Sequence, residues 1–62
     1  MTYEEANKIE EGFVIKVKGR EENWVVEKIE EVKGHLFFYL RNDNVELVKD
    51  HKDLAAIVTD KK

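Results

Sequence analysis

Five short runs rich in β-branched and aromatic residues, each closed by glycine or by Asn/Asp, fill most of this 62-residue chain. Such residues favour strands, and the breaks between the runs have turn chemistry. That rhythm predicts a single domain spanning residues 1-62, mainly β, built as a five-stranded small barrel with a short N-terminal helix.

The helix signal comes first. Thr2 and Glu5 have the spacing of a capping box, Tyr3, Ala6 and Ile9 share one helical face, and Gly12 is a natural stop. These predict a helix over about residues 3-10. Strands are expected at about 13-18, 24-32, 35-41, 45-48 and 54-59, with Asp60-Lys61-Lys62 as a frayed end. Lys33-Gly34 has the length of a two-residue hairpin turn, and Asn42-Asp43-Asn44 tolerates the left-handed region. The apolar supply for a core is Phe13, Val14, Ile15, Val17, Trp24, Val25, Val26, Ile29, Val32, Leu36, Phe37, Phe38, Tyr39, Leu40, Val45, Leu47, Val48, Leu54, Ile57 and Val58.

The hairpin register follows from its turn. Val32 should face His35, with Glu30 opposite Phe37, Ile29 opposite Phe38 and Lys28 opposite Tyr39. Strict alternation would then place Glu27 among Ile29, Leu36, Phe38 and Leu40. A bulge near Glu27-Lys28 removes that conflict and turns Val26 inward.

Residues Glu11 to Gly19, continuing from Trp24 to Ile29, resemble the KOW-type hairpin of the SH3-like small barrels. The opening Thr2 to Ala6, with Ile9, Gly12 and a late His51-Lys52-Asp53-Leu54, is similar to small proteins of Gram-positive bacteria and their phages. The loop carries Glu21-Glu22-Asn23 where the KOW pattern has a further glycine. The resemblance implies an SH3-like fold and a binding scaffold. It implies no activity.

The chemistry missing from the chain argues against an enzyme. There is no serine, cysteine, proline or glutamine, and the only aliphatic hydroxyls are Thr2 and Thr59. Glycines stand alone at turns, so no phosphate-binding loop is expected and no cofactor. His35 and His51 fall in different turns, and a metal site would need a third ligand such as Asp50 or Asp53. No metal is expected. The lack of cysteine, of a signal-peptide pattern and of a long apolar run points to a cytoplasmic, non-membrane protein.

One mixed face remains as a candidate binding surface. Val14, Lys16 and Lys18, then Trp24 and Lys28, then His35, Phe37, Tyr39 and Arg41 are expected to point outward. Of these, Trp24, Phe37, Tyr39, Lys28, Arg41, Lys16 and Lys18 are the candidate site residues, because aromatics and cations anchor interfaces. A competing assignment buries the helix face on Phe37 and Tyr39 and uses Trp24 to close the barrel. Glu21, Glu22, Glu27, Glu30, Glu31 and Glu46 offer a third idea, a negative surface that imitates nucleic acid.

The expectation is a non-catalytic protein-binding module, of the accessory type encoded by phages or mobile elements. Another protein is the expected partner, and the chain would be a monomer or an edge-strand homodimer. The alternative is a nucleic-acid-binding small barrel using the basic and aromatic face. A net charge of −3 weighs against it, because phosphate affinity rests on counterion release by Lys and Arg.

Overall fold

A computed structural model describes residues 1–60 of the chain. Helix α1 spans Tyr3–Ala6. Thr2 caps it: its hydroxyl accepts the Glu5 N–H at 3.1 Å, and the Glu5 carboxylate accepts the Thr2 N–H at 2.9 Å. The helix is shorter than the expected 3-10. After Asn7 the bonds tighten to three-residue spacing, from Lys8 N–H to the Glu5 carbonyl and from Ile9 N–H to the Ala6 carbonyl. That tightening keeps Ile9 on the buried side with Ala6. Gly12 then takes a φ of 92°, and its N–H donates to the Val26 carbonyl at 2.8 Å, tying the turn to the sheet.

Five antiparallel strands follow: β1 (Val14–Val17), β2 (Asn23–Val32), β3 (His35–Asn42), β4 (Val45–Asp50) and β5 (Ala56–Asp60). They form one sheet in the order β4-β3-β2-β1-β5. β4 and β5 are its two edges, so the sheet is unclosed. The fold is mainly β with a short helix. β4 runs two residues past its expected end because Asp50 still pairs with Phe37. β5 starts later than expected, because the chain first turns through Asp50 to Leu54, with Asp53 and Leu54 N–H both donating to the Asp50 carbonyl. Asp60 pairs with Val14 instead of fraying, and Lys61 and Lys62 lie outside the described residues.

The β2–β3 hairpin has the register that its turn dictates. Val32 pairs with His35, Glu30 with Phe37, Ile29 with Phe38 and Lys28 with Tyr39. Both turn residues have positive φ, 49° at Lys33 and 80° at Gly34, which matches the twist of antiparallel strands. The ladder slips between Val26 and Lys28, leaving Glu27 as the extra residue. Val26 therefore faces inward opposite Leu40, and so does Ile29 opposite Phe38.

The inner face gathers Phe13, Ile15 and Val17, then Trp24 and Val26, then Leu36, Phe38 and Leu40. Ala6 lies against it from the helix, Ile9 from the turn that follows and Leu54 from the last turn, with Met1 and Tyr3 half-buried beside them. Burial of this set supplies the stabilising free energy, since each fully buried large apolar side chain contributes about 1.5–3 kcal/mol. Five valines and isoleucines counted as core supply are instead exposed: Val25, Val32, Val45, Val48 and Ile57. Val25, Val48 and Ile57 alternate to the outer face, and Val32 and Val45 stand at hairpin ends.

Candidate functional site

The outer face of β2, β3 and β4 mixes aromatic, aliphatic and charged side chains. His35, Phe37, Tyr39 and Arg41 alternate along β3 with the buried Leu36, Phe38 and Leu40. Pairing brings Lys28 and Val48 to either side of Tyr39, and Glu30 and Asp50 to either side of Phe37. Val25 and Glu46 flank Arg41 in the same way. The helix does not cover this surface. Its buried residue Ala6 belongs to the inner cluster, and Tyr3 lies edge-on to His51 with ring centroids 5.7 Å apart. The assignment that packed the helix on Phe37 and Tyr39 is therefore corrected: Phe37 and Tyr39 are half-buried by their own strand neighbours.

The cations of this face are already matched. Arg41 Nε donates to Glu27 Oε2 at 2.8 Å, and its Nη2 donates to Glu46. The bulge is what makes the first pair, because it sends the Glu27 side chain outward beside Arg41. Lys28 Nζ lies 3.7 Å from Glu30 Oε1 and 5.5 Å from the centroid of the Tyr39 ring. The Tyr39 hydroxyl beside Glu30 holds that carboxyl below its ordinary 4.5, with the Lys28 charge adding to the effect. The same carboxylate holds the Tyr39 phenol above its ordinary 10.0. Three of the six glutamates considered for a negative surface, Glu27, Glu30 and Glu46, are thus spent on neighbouring cations.

Three expected members of the site lie elsewhere. Trp24 is 2% exposed and sits on the inner face with Val26, which corrects its outward placement. Its indole N–H has no acceptor among the described residues, and the Arg20 guanidinium lies 5.6 Å from the ring centroid. Lys16 and Lys18 are exposed but belong to the other half of the sheet, where β1 pairs with β5. With Arg20 they rim an open hollow of about 550 Å³ floored by Val17, Leu54, Ala56 and Ile57.

The two histidines, placed in different turns by the sequence, meet at the end of β4. The His51 N–H donates to the Leu36 carbonyl at 2.7 Å, continuing the ladder one step beyond Asp50. The Leu36 N–H then donates to His51 Nδ1 at 3.1 Å, so a ring nitrogen stands in for the backbone acceptor. This fixes the ring at 3% exposure. His35 Nδ1 lies 2.8 Å from Asp50 Oδ2, and His51 Nδ1 lies 3.1 Å from Asp50 Oδ1. Burial pushes the Asp50 carboxyl up, but the Lys52 N–H and the His35 ring outweigh it and hold the group below its ordinary 3.8. The signal for this cluster was the ladder itself: extending β4 to Asp50 places residue 51 opposite Leu36 and beside His35.

No protein-family model, curated protein or solved structure matches this chain. Among the described residues, no helix is long and apolar enough to cross a membrane.

Proposed function

We propose that the protein is a non-catalytic protein-binding module of SH3-like five-stranded small-barrel build. Its contact surface is the outer face of β2, β3 and β4, centred on Phe37 and Tyr39. The observation that carries this reading is the position of the helix. It lies against the inner face and leaves the two aromatics open, with Val25 and Val48 exposed beside them. An apolar centre fringed by matched charges of both signs suits a protein partner of similar make-up. The strand order supports the SH3-like build, because β5 returns to pair with β1 while the bulged β2 serves both halves. β4 borders the face as a sheet edge, so a partner strand has a place to add.

Two observations support a role without catalysis. The Thr2 hydroxyl is committed to the helix cap, and the Thr59 hydroxyl donates to the Val14 carbonyl. The accessory role in phages or mobile elements, in the cytoplasm, rests on the sequence resemblance and composition alone. Nucleic-acid binding is the weaker reading, because Arg41 and Lys28 already hold carboxylates and would release few counterions.

The test is affinity capture with three immobilised proteins. Wild type should recover one protein at stoichiometric level, the Phe37→Ser/Tyr39→Ser double variant should lose it, and Ile57→Ser on the other half should keep it. Failure of wild type to recover any stoichiometric partner refutes the proposal. Salt-sensitive binding of a single-stranded oligonucleotide, abolished by Lys28→Ala/Arg41→Ala, would establish the nucleic-acid reading in its place.

A further inference from the structure

From the cluster at the end of β4, we propose that His35, Asp50 and His51 bind one divalent transition-metal ion of the zinc type. The three side chains come from two strands and a turn, and one ligand atom from each lies within 4.8 Å of the other two. Zinc bonds of about 2.0–2.2 Å to nitrogen and oxygen place tetrahedral ligands roughly 3.3–3.5 Å apart. The two imidazoles stand against different oxygens of one carboxylate, His35 Nδ1 2.8 Å from Oδ2 and His51 Nδ1 3.1 Å from Oδ1, so the three side chains converge on one spot. His35 is half-exposed at the start of β3 and hydrogen-bonds Asp50, whereas His51 is buried, its Nδ1 accepting the Leu36 N–H. Together they offer an ion two imidazoles and a carboxylate.

The single lone pair of His51 Nδ1 already accepts the Leu36 N–H at 3.1 Å, so coordination through that atom displaces the Leu36 bond. Two imidazoles and one carboxylate favour Zn²⁺, Co²⁺, Ni²⁺ or Cu²⁺ over Mg²⁺ or Ca²⁺. Three protein ligands leave a fourth position for water or for a side chain of a partner.

The experiment uses untagged full-length protein titrated with Zn²⁺ by calorimetry and with Co²⁺ by visible absorption. One ion per chain is expected, with the strong ligand-field bands of a tetrahedral cobalt site. His35→Ala and Asp50→Asn should each weaken binding by at least about tenfold, while Glu46→Gln leaves it unchanged. Far-UV circular dichroism confirms that each variant is folded. Should a variant fail to fold, wild type alone decides: Co²⁺ must broaden the ring resonances of both His35 and His51. Absence of saturable binding, wild-type affinity in folded His35→Ala, or broadening confined to other residues overturns the proposal.

Discussion

Phe37 and Phe38 are adjacent and chemically identical, yet they face opposite sides of β3. Replacing each in turn by alanine tests the division of this sheet into an inner and an outer face. Phe38 is fully buried among Trp24, Val26, Leu36 and Leu40, so truncation removes an aromatic ring and leaves a cavity. Such changes cost about 3–5 kcal/mol. A domain of this size has roughly 3–9 kcal/mol to lose, so Phe38→Ala should be largely unfolded or close to it. Phe37 is half-exposed and lies between Glu30 and Asp50, with the His35 ring stacked at 6.2 Å. Its loss removes cross-strand contacts worth about 1 kcal/mol or less. Urea unfolding followed by Trp24 fluorescence and by circular dichroism reads both. With a slope near 1 kcal/mol per molar, the two midpoints should differ by about 2–4 M. Coincident midpoints, or a lower midpoint for Phe37→Ala, would refute the assignment of faces and the contact surface built on it.

Other outcomes follow from local geometry. Thr2→Ala removes the acceptor of the Glu5 N–H and should cost about 1 kcal/mol, a melting-temperature drop of about 4–8 °C. The Glu5 carboxyl is held below its ordinary 4.5, chiefly by the Thr2 N–H and then by the Thr2 hydroxyl. Its contribution to stability is therefore complete above pH 4.5 and lost as pH falls through the lower folded value; Glu5→Gln should flatten that limb of a stability-against-pH curve. Arg41→Ala breaks two exposed ion pairs, so its urea midpoint should stay close to that of wild type. Lys33 holds a positive φ that a β-carbon disfavours, so Lys33→Asn or Lys33→Gly should raise the melting temperature; a fall would contradict the turn geometry.

Alternation makes the hairpin legible in the sequence. Glu27 could not sit among Ile29 and Phe38, and the only relief within the register was an extra residue there. The same bulge also governs Trp24, because a residue two places before the inward Val26 must share its face. Trp24 and Lys28 are four apart without sharing a side, which is why simple alternation put the indole outside. The side taken by the helix was not legible, since β3 offers apolar residues on both faces and only the turn at Gly12 directs the chain to one of them. The His35–Asp50–His51 cluster was hidden for a different reason. It depends on β4 continuing through Lys49 and Asp50, polar residues that look like a turn until their backbone pairing with Phe38 and Phe37 is known.

Glu27 also sets where this chain tolerates a change of length. Upstream of it the even-numbered side chains Trp24 and Val26 are enclosed; downstream the odd-numbered Ile29 takes that place. Excising Glu27 would merge the two frames into one uninterrupted ladder with every enclosed residue still enclosed. Excising Val25 would turn Trp24 inside out.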